Sequence, residues 1–158
     1  TNARAVSPPG FPDIRVVDDF VSDTGCKITG VRVNMIEDSG WTNGGDITVE
    51  VWSDNAGTPD SIVDTHVGAF TRTATGDTYF GRDNFDYAIT GLELDLPGGT
   101  YWVGSRNGSG GGAGTNYWMT SDGGGDGGGS SNGYFSVDGG GSFADEGAGW
   151  QHAFELTP

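Results

Sequence analysis

Asp46-Ile47-Thr48-Val49-Glu50-Val51-Trp52-Ser53-Asp54-Asn55-Ala56-Gly57-Thr58-Pro59-Asp60 holds a strand, its two faces and its exit turn in one run. Ile47, Val49 and Val51 alternate with Thr48, Glu50 and Trp52, the period-two pattern of a strand with one face buried and one face wet. Asn and Asp tolerate left-handed backbone, Gly supplies positive φ and Pro removes a ladder donor, so the chain has to leave the sheet at Asp54–Pro59. Most of the remaining sequence repeats this unit with variations.

The chain has 158 residues, enough for one domain that buries about two thirds of its unfolded surface without disulfides or a structural metal. Its 31 glycines stand far above the usual ~7 %. Only 7 basic residues face 22 acidic ones, and the net charge of −15 argues against nucleic acid and anionic membranes, whose attraction needs basic side chains. Cations are the natural partners. Cys26 stands alone, so no internal disulfide is expected, and no transmembrane run is present. Scarce lysine, an acidic surface and a start without Met fit a secreted or cell-surface protein with a processed N-terminus.

Residues 1–13 contain Pro8, Pro9 and Pro12 with no alternation and are expected to form an extended arm, in which Val6 and Phe11 could dock on a neighbouring copy. Residues 14–158 are expected to form a single domain. Strand patterns cover 14–20, 27–36, 46–52, 62–70, 78–82, 87–96, 100–106, 115–121, 134–137 and 150–156, with turn signals between them and no helical period. That spacing predicts an all-β fold, an antiparallel two-sheet β-sandwich of jelly-roll type. Val31, Val33, Ile47, Val49, Val51, Tyr101, Val103, Phe154 and Leu156 are its expected core.

Composition shifts after Arg106: residues 107–142 hold 15 of the 31 glycines, and no Lys or Arg follows. Tyr117, Trp118, Met119, Tyr134, Phe135 and Val137 are interleaved with those glycines, so short strands joined by Gly-rich loops are expected rather than a linker. Asp122, Asp126 and Asp138, with Asp145-Glu146, place hard oxygen ligands on flexible backbone, the donor set a structural calcium ion takes, although the spacing matches no EF-hand. Asp38, Asn43 and Asp46 form a second such group, and solvated turn aspartates are the plain alternative for both. Trp41, Trp52, Trp102 and Trp118 lie in loops or on outward strand positions, where they would stack on sugars, fill a subunit interface or, if the register is shifted by one, enter the core. His152 falls on the apolar face of the last strand and reads as a core or rim histidine. No nucleophile elbow, Ser/His/Asp set or identifiable carboxylate pair is present, so an enzyme is not expected.

Asp18-Asp19-Phe20, Ile28–Val33, Val49–Pro59 and Leu94–Val103 together resemble the secreted bacterial β-sandwich modules found beside cell-surface sorting signals. The resemblance covers residues 14–120 and rests on turns and strands rather than on a site. It implies an extracellular location and, through the similarity of such modules to jelly-roll carbohydrate-binding domains, a glycan-binding or adhesive role. The chain departs from those modules in its glycine tract and in ending at Pro158 with no anchor segment. Two functions are therefore expected: a non-enzymatic structural subunit that assembles with copies of itself into a filament or surface layer, or a carbohydrate-binding module.

Overall fold

The computed structural model describes residues 3–6, 14–42, 45–107, 114–121, 132–147 and 150–158. The strands along these residues are β1 (Ala3–Ala5), β2 (Arg15–Ser22), β3 (Cys26–Glu37), β4 (Ile47–Asp54), β5 (Pro59–Gly68), β6 (Phe70–Tyr79) and β7 (Arg82–Leu96). They continue as β8 (Gly99–Asn107), β9 (Asn116–Ser121), β10 (Tyr134–Ser136), β11 (Ala144–Asp145), β12 (Gln151–His152) and β13 (Phe154–Thr157). One sheet runs β1-β9-β3-β7-β6, with β12 beside β9 and β13 beside β3; the other runs β11-β10-β2-β8-β4-β5. Successive strands β2, β3 and β4 alternate between the sheets, and β7, β8 and β9 return through them in alternation. The protein is thus an antiparallel two-sheet β-sandwich. Among the described residues no helix is long and apolar enough to cross a membrane.

The alternation read in β4 decides which face is buried. Ile47, Val49 and Val51 meet Val31, Val33 and Met35 of β3 and Tyr87, Ile89 and Leu94 of β7 in one cluster between the sheets. Tyr101 and Val103 of β8 join it, as expected. Phe154 and Leu156 do not reach full burial: they pack against the cluster from its rim, because β13 lies where one sheet ends.

Two connections differ from the sequence reading. The strand expected over 62–70 breaks at Ala69, where the chain passes from the edge of one sheet, β5, to the edge of the other, β6. Residues 78–82, expected as a strand, are the end of β6 and the turn into β7. The sequence hides β6 because Thr71-Arg72-Thr73-Ala74-Thr75 offers no apolar face, and the strand is exposed along nearly its whole length.

The expected free arm is partly docked on its own chain. Ala3, Arg4 and Ala5 pair with Met119, Trp118 and Tyr117 of β9, and Val6 is 3 % exposed in the core cluster. An apolar side chain beside an unpaired strand edge gains both burial and a ladder by folding back, so Val6 is a core residue and not a free contact. Phe11 lies outside the described residues.

The C-terminal residues fill a gap in the first sheet. β9 runs beside β3 only over Asn116–Trp118, opposite Glu37–Met35. Beyond that point Gln151 and His152 pair with β9, while Phe154–Thr157 pair with Val33–Gly30 of β3. Ala153 bridges the two: its N–H donates to Met119 O (2.8 Å), and its carbonyl accepts from Asn34 N (3.1 Å).

Candidate functional site

Of the four tryptophans expected in loops or on outward positions, Trp52, Trp102 and Trp118 lie inside. Trp52 points away from the main core, as its alternation requires, yet is 3 % exposed, because Val17, Trp52 and Trp102 form a second cluster on the outer face of the second sheet, covered by Tyr134 and Phe143. Trp52 meets Phe143 edge-on at 5.0 Å, Trp102 meets Tyr134 edge-on at 5.0 Å, and the Trp102 indole N–H donates to Asp54 Oδ1 (2.9 Å). Trp118 is fully buried, stacked on His152 at 4.8 Å, and donates to Ala153 O (2.9 Å). Trp41 is half-buried, tilted against Tyr87 at 6.2 Å. Burial therefore corrects the glycan-stacking assignment for Trp52 and Trp118. The same outer face buries a charge: Glu50, 3 % exposed, accepts from Arg15 Nε (2.7 Å) and Arg106 Nε (3.2 Å).

Of the carboxylates proposed for calcium, Asp122 and Asp126 lie outside the described residues, as does Asn43. Asp138 closes its own loop: it accepts from Ser136 Oγ (2.6 Å), Ser142 N (3.0 Å) and Ser142 Oγ (2.8 Å), and these bonds hold its carboxyl down at about 2. Asp38 is bound by Arg82 Nε (2.6 Å), Thr115 N (3.1 Å) and the Tyr117 hydroxyl (3.3 Å). Among the described residues no three His, Cys, Asp or Glu side chains converge as a metal would require.

A groove of about 610 Å³ opens on one side of the sandwich, between the free half of β2 and the terminal strands β12 and β13. Phe20, Ile28, Phe154 and Leu156 form its apolar walls, with Asp18 and His152 among its polar residues. Asp18, 2 % exposed, accepts from the backbone N–H groups of Asp19 (2.9 Å) and His152. Burial is the largest influence on its carboxyl, outweighing those two bonds, and pushes it up to about 6. His152 is held by its own network: Nε2 lies 3.0 Å from Glu146 Oε2, both side chains are fully enclosed, and Arg4 Nε approaches Glu146 Oε1 at 3.2 Å. Arg4 also lies 3.7 Å over the Phe135 ring, so β1 and β10 close the sandwich on that side.

The opposite side is a bare edge. β5 and β6 end their sheets, and nearly every residue of both is half or fully exposed, with Ile62 (47 %), Val63 (50 %) and Val67 (61 %) on β5. At the far end of β6 the pair Tyr79–Arg82 closes a two-residue turn of Phe80 and Gly81, both at positive φ (55° and 73°). Such a turn favours Asn-Gly, and a bulky Phe in left-handed backbone is a costly choice. Phe80 is 61 % exposed there. Neither Phe80 nor the groove was legible in the sequence: the former looks like part of a strand, and the latter joins residues more than 120 positions apart.

In the groove the Asp18 oxygens accept backbone N–H groups and His152 Nε2 is engaged by Glu146. The arrangement offers recognition, through strand edges and an apolar groove with acceptors inside it. No family model matches the sequence, and no curated protein and no solved structure was found to match it.

Proposed function

We propose that this protein is a non-enzymatic structural subunit that acts outside the cell by joining copies of itself edge to edge. The observation that carries the reading is the β5–β6 edge: two ten-residue strands, each the end of its sheet, exposed along their length and bearing Ile62, Val63 and Val67. Soluble proteins blunt such edges with lysine, proline, bulges or short strands, because unpaired N–H and C=O groups template pairing with another chain. Here the one lysine of the chain, Lys27, lies on β3, β5 has its proline only at its first residue, and the register shifts of β5 opposite residues 51–54 and of β6 at residues 74–78 leave residues 64–68 and 70–74 regular. The buried positions of Trp52 and Trp118 favour this reading over glycan stacking.

Paired with its like on another copy this edge gives a closed two-fold dimer, whereas paired with a different surface it does not close unless the rotation makes a ring, so a filament or layer is the product of the second kind of pairing. At a net charge of −15 the copies repel one another, and salt or divalent cations promote association by screening. Light scattering and electron microscopy across protein and salt concentration test the reading. Polymers that disappear in Val63→Lys and Val67→Lys variants with unchanged melting support it; a monomer at every concentration and ionic strength overturns it.

A further inference from the structure

We propose that the groove between β2 and β12–β13 is a binding site for a small primary ammonium ion carrying an apolar body. It lies on the side of the sandwich away from β5 and β6, and it stands whether or not the protein assembles.

The volume, about 610 Å³, falls in the range of small-molecule sites, and the walls of Phe20, Ile28, Phe154 and Leu156 supply the apolar contact. What selects the ligand is the sign of the polar groups. His152 Nε2 is taken up by the Glu146 carboxylate at 3.0 Å, which leaves Nδ1 as the other ring nitrogen. That nitrogen is buried and has no hydrogen-bond partner, and the side chain carrying it is 0 % exposed. The Cδ2–Nε2 edge of the ring is turned to Gly133, which leaves the Nδ1 edge on the opposite side. Gln151, also a groove residue, has a buried Oε1 without a partner. Each Asp18 oxygen accepts one backbone N–H and keeps capacity for another.

The Gln151 Oε1 and Asp18 oxygens are acceptors with unspent capacity, and they call for a ligand that brings several donors on one small head. An ammonium group has three. Charge points the same way. Asp18 and Asp19 line the groove against Lys27, while Glu155 is paired on its other side with Arg32 at 3.0 Å. A carboxylate held in an apolar setting is relieved by a bound cation, whereas an anion would be repelled and an alcohol would satisfy fewer of the acceptors.

The test is calorimetric titration of the whole protein at neutral pH with three probes of matched shape: 2-phenylethylammonium, 2-phenylethanol and 2-phenylacetate. The expected result is saturable binding of the ammonium ion at about 1 mM or better, at least about tenfold tighter than the alcohol, with no binding of the carboxylate. Asp18→Asn keeps the acceptor for His152 N–H and is expected to erase most of the preference for amine over alcohol. Leu156→Trp, at the half-buried rim, is expected to block both probes while the melting temperature holds. Equal affinity for amine and alcohol, an unchanged preference in Asp18→Asn, or no binding of any probe would each overturn the proposal.

Discussion

Gly140 lies so close under Trp52 that a Cβ on it would stand 2.2 Å from the indole Cη2. Its φ of +94° is also one that side chains rarely adopt. Gly140→Ala is therefore expected to lose about 2–4 kcal/mol, combining left-handed strain with overpacking of a closed aromatic cluster. Urea unfolding followed by tryptophan fluorescence measures it. A loss below half a kcal/mol would mean that the lid over Trp52 is loose.

Phe80 is expected to oppose stability and association. Phe80→Asn places a residue suited to left-handed backbone in the two-residue turn with Gly81 and removes an exposed ring, so the monomer should gain about 1 kcal/mol. If the ring serves assembly, the same variant assembles less. Thermal unfolding and light scattering on one sample read both effects, and a gain in stability with unchanged assembly would assign the strain elsewhere.

The pH dependence of stability should carry the mark of Asp18. Its carboxyl is raised from 3.8 to about 6, so between those values the native state binds more protons than the unfolded chain, and stability falls as pH rises through that window. The change is at most about 3 kcal/mol. Asp138 acts in the opposite sense and lower down: held at about 2, it contributes above 3.8 and loses that contribution as pH falls toward 2. Urea midpoints from pH 4 to 7 should decline in the native protein and flatten in Asp18→Asn; parallel slopes would refute the assignment.

Glu37 anchors the β6 edge strand across β7. Arg72 grips it with Nε at 2.8 Å and Nη2 at 2.6 Å while lying 3.4 Å over the Phe85 ring, and the Tyr87 hydroxyl donates to the same carboxylate. Burial, then the Glu37 carboxylate, raises the Tyr87 phenol above its ordinary range. Glu37→Gln should cost about 1–3 kcal/mol, discounted for the partial exposure of Arg72, and Tyr87→Phe about 1 kcal/mol, since Arg72 still holds the acid. Hydrogen exchange should show β6 opening first in Glu37→Gln. Equal protection of β6 in both variants would dissociate the ion pair from the edge.

The alternation in β4 and the Leu94–Val103 turn made the sandwich legible, because a strand with one buried face writes its burial every second residue. What Trp52 faces was not legible. The sequence placed it outward correctly, but its cover comes from Tyr134 in the glycine-rich tract and Phe143 just beyond it, where the strands are too short to show which way their side chains face. β6 was hidden because a strand exposed on both faces carries no alternation, and the groove because the hydrogen bond from His152 to Asp18 spans 134 positions.

The late arrival of β12 and β13 sets an order of events. Residues 30–33 of β3 find their second neighbour only in 154–157, at the far end of the sequence, so the first sheet cannot close until nearly the whole chain is in play. Loop closure of that length is a search that must be finished before its contacts reward it, which places this fold among those that form in milliseconds to seconds. Until then β3 is an open edge along half its length, and the growing protein is most exposed to wrong partners during this wait.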